Sequence, residues 1–78
     1  MQIRYFAGAA EAAGVTEETL DDAALSIADL SARLAQGRER LARVLAVSAF
    51  LVDGRIAGLD DIVPAEARVD VLPPFAGG

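Results

Sequence analysis

The residues best placed to do chemistry lie at the end of the sequence, in Pro73-Pro74-Phe75-Ala76-Gly77-Gly78. A carboxylate on Gly78 is the reactive group of that segment, and two residues without side chains let it enter a narrow channel and let another protein's backbone approach closely. Pro73 and Pro74 remove two backbone donors, so they end any strand before them and stiffen the exit of the chain. Six extended residues reach about 20 Å, far enough to carry the carboxylate from a domain surface into a partner's active site. Phe75 adds an aromatic that the domain's own core does not explain, so Phe75, with Pro73, Pro74 and Ala76 beside it, is read as partner-binding.

The remaining residues exclude most other chemistry. Nucleophilic catalysis needs a Ser, Thr, Cys or Lys beside a base, and the sequence has no His, no Cys and no Lys. Its carboxylate pairs, Asp21-Asp22 and Asp60-Asp61, stand in polar surroundings without an apolar pocket to split their pKa values, and they read as solvated turn residues. Gly8, Gly14, Gly37, Gly54 and Gly58 are scattered, and none forms a phosphate-binding loop. The chain therefore reads as a substrate or subunit that binds no cofactor of its own, with any nucleotide supplied by a partner.

A net charge of −5 repels a phosphate backbone and offers no basic stripe, which argues against a nucleic-acid partner. No apolar run nears the ~20 residues of a membrane span, and the opening Met-Gln-Ile-Arg-Tyr-Phe lacks a signal-peptide layout, so a cytoplasmic protein is expected. Seventy-eight residues allow one modest core. The 54% apolar content overstates that core, because seventeen of those residues are Ala.

The elements that must position the tail follow from periodicity. Residues 2–7 alternate as a first strand with Ile3 and Tyr5 on one face; a short Ala-rich helix fits between Gly8 and Gly14, and 16–20 returns as an antiparallel strand. Ser26 and Asp29 have capping-box spacing, with Leu25 and Leu30 as a hydrophobic staple, which predicts a main helix over 26–36 with Ile27, Leu30 and Leu34 on its core face. Gly37 can supply a left-handed residue after it. Leu41, Val44 and Leu45 mark a second short helix, with Arg38, Arg40 and Arg43 on a solvated face. The apolar run 47–52 predicts a central strand covered on both faces, Asp53-Gly54 a hairpin turn, 55–57 a short return strand and 58–66 a loop. Residues 68–72 alternate as a last strand with Val69 and Val71 inward. A helix packed on one mixed sheet gives an α+β domain over 1–72, followed by a flexible Gly-Gly tail over 73–78.

Taken together, Arg4-Tyr5-Phe6-Ala7, Glu11-Ala12-Ala13-Gly14, Ile27-Ala28-Asp29-Leu30, Val52-Asp53-Gly54 and Leu72-Pro73-Pro74-Phe75-Ala76-Gly77-Gly78 resemble the MoaD family. That family holds the small subunits of molybdopterin synthase, within the MoaD/ThiS superfamily of ubiquitin-like β-grasp sulfur carriers, and the resemblance spans essentially the whole chain. It implies that a MoeB-like adenylating enzyme uses ATP and Mg²⁺ to activate the Gly78 carboxylate, and that a sulfur donor protein converts it to a thiocarboxylate. It further implies a MoaE-like large subunit, in a heterotetramer, where the sulfur passes to precursor Z on the way to molybdopterin. Gly77 then serves tail flexibility and channel fit.

Some residues depart from the family pattern. Asp53 stands where Asn is frequent, Pro64-Ala65-Glu66-Ala67 replaces a Gly-containing turn, and Phe75 is larger than the usual Val. Two neighbouring functions share the activation chemistry. One is a sulfur carrier for thiamine or cysteine synthesis, against which the long 6–14 connection argues. The other is a ubiquitin-like protein modifier, against which the absence of Lys and of a basic tail argues. A plain interaction module would leave Gly77 and Gly78 dispensable.

Overall fold

The computed structural model describes residues 1–74. In chain order the elements are β1 (Gln2–Tyr5), α1 (Gly8–Ala13), β2 (Glu17–Thr19), β3 (Leu25–Ser26), α2 (Ile27–Ala35), α3 (Glu39–Leu45), β4 (Ala49–Val52), β5 (Arg55–Ala57), β6 (Ile62–Val63) and β7 (Arg68–Leu72). Five strands form one mixed sheet in the order β2-β1-β7-β4-β5, in which β1 and β7 run parallel and the other neighbours antiparallel. The arrangement is the ubiquitin-like β-grasp, an α+β fold. None of the helices among the described residues is long and apolar enough to cross a membrane.

Alternation decides which face of the sheet is covered. Ile3, Tyr5, Phe50, Val69 and Val71 all point to one side and are buried there with Ile27, Leu30 and Leu34 of α2 and Leu41 and Leu45 of α3. Helix α2 starts where the sequence signals it: the Ser26 hydroxyl accepts from the Asp29 N–H at 3.1 Å. Two further amides at its first turn, those of Ile27 and Ala28, donate to the carbonyls of Asp61 and Leu59, so the 58–61 connection completes the cap. Helix α1 ends on Gly14 in the left-handed region, and Gly37 takes the same conformation one residue past the C-cap of α2. In the β4–β5 hairpin, both Asp53 (φ 48°) and Gly54 (φ 85°) have positive φ, as a two-residue turn matched to strand twist requires.

Three expectations change. The run 47–52 is not a strand covered on both faces: β4 begins at Ala49, Val47 is exposed in the connection before it, and Leu51 looks out from the uncovered side. Strand β4 does lie between β7 and β5, as an interior strand should. The 58–66 segment is not all loop, because Ile62 and Val63 pair with Ser26 and Leu25 in a second, two-stranded sheet. Two residues are too few to show an alternation, which is why the pairing leaves no periodic trace. Arg38 is not a solvated residue: it is half-buried and grips the Glu18 carboxylate with two hydrogen bonds of 3.0 Å each.

Candidate functional site: the root of the tail and the outer sheet face

Strand β7 brings the tail out of the middle of the molecule. It is paired on both sides, with Val71 opposite Tyr5 of β1 and Leu72 opposite Ala49 of β4, so the point from which residues 73–78 depart is held by two neighbouring strands. Pro73 is buried and Pro74 is exposed. Of the segment read as partner-binding, Pro74 is thus the described residue that reaches the surface. Phe75, Ala76, Gly77 and Gly78, on which the reactive terminus and the aromatic anchor were placed, lie outside the described residues.

Around that root the outer face of the sheet carries an uneven mixture of charge and apolar surface. One row runs across four strand pairings, from Ile56 through Leu51, Asp70 and Arg4 to Glu17. At its centre Arg4 binds Asp70 through two parallel hydrogen bonds of 2.8 and 3.1 Å, and this bond, more than any other influence, holds the guanidinium pKa above its ordinary value. The Arg4 guanidinium also lies 5.4 Å from the centre of the Phe6 ring. Phe6 continues β1, and its N–H donates to the Val71 carbonyl at 3.2 Å, which sets its backbone beside the end of β7. Ile56, at the free edge, is 77% exposed.

Immediately after Phe6 the backbone is strained. Ala7 has φ 48° and ψ −125°, a region that L side chains avoid, and its carbonyl accepts from the amides of Ala10 and Glu11 at the start of α1. The tight turn takes the chain off the sheet at Phe6 and leaves that residue on the outer side.

A second polar cluster sits at the opposite edge. The Tyr5 hydroxyl donates to Glu18 at 2.9 Å, and Glu18 receives Arg38 as well, which ties β1, β2 and the start of α3 together. The Arg38 hydrogen bonds hold the Glu18 carboxyl below its ordinary range against the opposing effect of burial, with a smaller contribution from Tyr5. Burial first, and then the bond to Glu18, push the Tyr5 hydroxyl well above its ordinary pKa. The cluster is fully satisfied internally and presents no free acid or base. Among the described residues no group of three or more acidic side chains is gathered to hold a metal. Asp22 bonds Arg33, and Asp61 accepts from the Gly58 N–H, so one member of each carboxylate pair is engaged in local structure.

The exposed apolar residues Phe6, Ile56, Leu59 and Ile62 were not singled out from the sequence. The available signal was in the strands: once Ala57 pairs with Phe50 on the covered side, Ile56 must face the other way with Leu51.

The comparisons with known proteins agree with this architecture. Among solved structures, a Pyrococcus furiosus protein described as molybdopterin converting factor, subunit 1, is 25% identical, with a TM-score of 0.78 over 95% of each chain. The small archaeal modifier protein 1 of Haloferax volcanii is also 25% identical, with a TM-score of 0.81 over 96% of this chain and 97% of its own. The Methanosarcina acetivorans small archaeal modifier protein 1, at 22% identity and a TM-score of 0.80 over 99% of this chain and 94% of its own, shares the fold. No curated protein sequence matches. These structures include both a molybdopterin converting factor subunit and a small archaeal modifier protein, on one β-grasp body. The ThiS family profile matches residues 3–78, nearly the whole sequence through the terminal Gly-Gly, and the chain belongs to the ThiS family.

Proposed function

We propose that the chain is a sulfur carrier acting as the small subunit of a molybdopterin synthase, with the Gly78 carboxylate as its working group. The observation that supports this reading is the root of the tail: a strand paired on both sides leads into Pro73 and Pro74, the sequence continues as Phe-Ala-Gly-Gly, and the outer face of the same sheet carries exposed apolar side chains. The domain supplies recognition, and the tail supplies reach.

The chemistry balances without any catalytic residue in this chain. In the activating enzyme, with ATP and Mg²⁺, a Gly78 carboxylate oxygen attacks the α-phosphorus of ATP and pyrophosphate leaves. A sulfur nucleophile from the donor protein then attacks the acyl carbon, and AMP leaves with its bonding electrons. With a persulfide as that nucleophile, the product is an acyl disulfide; a second thiol, acting as the reductant, attacks its donor-side sulfur, forms a disulfide with the donor and releases the thiocarboxylate on Gly78. In the large subunit the thiocarboxylate sulfur bonds to precursor Z, and hydrolysis of the acyl–sulfur bond leaves the sulfur there and restores the Gly78 carboxylate. Phe75 with Pro74 and Ala76 would bind the large subunit, and Gly77 would keep the channel passage free of a Cβ. Pro73, being buried, would act by fixing the direction of exit.

Incubation with the activating enzyme of the same organism, ATP, Mg²⁺ and a sulfur donor should replace one oxygen by sulfur, read by intact mass and localised to Gly78. A C-terminal tag should abolish this without unfolding the domain. An unchanged mass with a competent enzyme, or molybdopterin formation by the tagged chain, sinks the carrier reading. Similarity to small archaeal modifier protein 1 favours a second reading, attachment of Gly78 to amines of target proteins. Recovery of the chain on target lysines in place of the thiocarboxylate would select it.

A further inference from the structure

We infer that this chain is a donor only: once its terminus is activated it cannot acylate itself or another copy, because it presents no accessible nitrogen or sulfur nucleophile. The inference rests on the activation of Gly78 proposed above, but its structural half stands independently.

An acyl adenylate is attacked by amines and thiols. The attacking nitrogen forms a bond to the Gly78 carbonyl carbon, the bond to AMP breaks with AMP as the leaving group, and the nitrogen gives up a proton to water. In a concentrated pool of activated chains the nearest nucleophiles are those of the chains themselves. The sequence has no Lys, Cys or His, so all seven cationic side chains are guanidinium groups, which stay protonated and do not acylate under these conditions.

In a chain that starts at Met1 the amino group of that residue is left, and the fold masks it. Met1 is 7% exposed, and its ammonium donates to the Leu20 carbonyl at 2.7 Å and the Ala65 carbonyl at 2.8 Å, two segments far apart in the sequence. Attack would require the nitrogen to lose a proton, break at least one of these bonds and emerge from between the 20 and 65 segments. Hydroxyls are poor substitutes without a neighbouring base. Those of Tyr5 and Ser48 are engaged with Glu18 and the Val44 carbonyl.

Two measurements test this on the full chain. With an N-hydroxysuccinimidyl acetate probe at neutral pH, the native chain should gain an acetyl group at least about 100-fold more slowly than the same chain in guanidinium chloride, because reaction must wait for local opening. Equal rates would overturn the masking of Met1. In the second, wild type and Arg43→Lys are incubated at high concentration with the activating enzyme, ATP and Mg²⁺, without a sulfur donor, and adenylation is followed by pyrophosphate release. Arg43 is exposed and lies outside the tail and the outer face, so the change adds one free amine. Arg43→Lys should give a species of twice the chain mass less one water, and wild type should not. A wild-type dimer joined through Met1 overturns the inference, and so does an adenylated Arg43→Lys that stays monomeric. If neither chain is adenylated, the Gly78 reading fails and the donor inference falls with it, while the acetylation rates still decide whether Met1 is masked.

Discussion

The two faces of the five-stranded sheet are built from the same strands and have opposite economies. On the inner face Ile3, Val69 and Val71 are completely buried, and each meets α2, α3 or a neighbouring strand residue in one continuous core. On the outer face the same strands contribute Arg4 and Asp70, which satisfy one another, and Leu51 and Ile56, which have no helix over them. An inner-face residue contributes to stability through what it excludes from water. Outer-face apolar residues give the isolated domain little, so their value must be sought in association.

The largest test of that contrast compares Leu30 with Ile56. Leu30 is fully buried on α2, and Leu30→Ala should cost roughly 2 to 5 kcal/mol through lost transfer energy and the cavity left behind. Ile56→Ala should change stability by no more than about 0.5 kcal/mol, because so much of the side chain is already in water. Its effect should appear as weaker binding to the proposed large subunit or activating enzyme, measured by calorimetry. A large stability loss at Ile56 with unchanged binding would erase the functional distinction between the faces. Phe75→Ala extends the comparison to the tail: unchanged affinity for the large subunit would remove the anchor role.

Much of the inner face was legible in the sequence, and little of the outer one. Ile27, Leu30 and Leu34 recur at helical spacing behind a Ser cap, and Val69 and Val71 alternate, so burial could be read from period alone. The apolar run at 47–52 overstates burial because hydrophobicity alone does not separate one-sided from two-sided cover: Leu51 faces outward and Val47 lies outside the strand. Arg38 looked like one more solvated cation. Its partner Glu18 lies twenty residues earlier, in a strand whose position depends on the whole sheet, and no local pattern encodes that meeting. The root of the tail, held between β1 and β4, depends on strand order, which no local pattern of residues 68–74 encodes.

A smaller effect is expected at the cap that starts α2. Ser26→Ala removes the acceptor for the Asp29 N–H and should destabilise by about 1 kcal/mol. The loss should be modest because the Ile27 and Ala28 amides keep their bonds to Asp61 and Leu59. Urea titration with an unchanged slope and a lower midpoint would agree. A loss as large as that of Leu30→Ala would mean that the cap also holds β3 against β6.

The smallest effect at neutral pH, and the most informative in its pH dependence, is expected from Tyr5→Phe. The ring stays buried, and Glu18 stays paired with Arg38, so no orphaned charge is created and the cost should be roughly 0.5 kcal/mol. The sign differs at the two ends of the pH scale. Tyr5 has its folded pKa raised, so the neutral hydroxyl is the form the fold favours; its contribution is complete below the unfolded value of about 10 and is lost as pH rises beyond it. Glu18 has its folded pKa lowered, so its contribution is present above the unfolded value of about 4.3 and is lost as pH falls through the folded one. Wild type should therefore lose stability above about pH 10 more steeply than Tyr5→Phe, while both weaken on acidification because Glu18 and Arg38 remain. Thermal melts of the two chains at pH 7 and pH 11 distinguish the cases. If the difference between them is the same at both values, the Tyr5 hydroxyl is not protected by burial, and the inner face is wetter at this edge than its packing indicates.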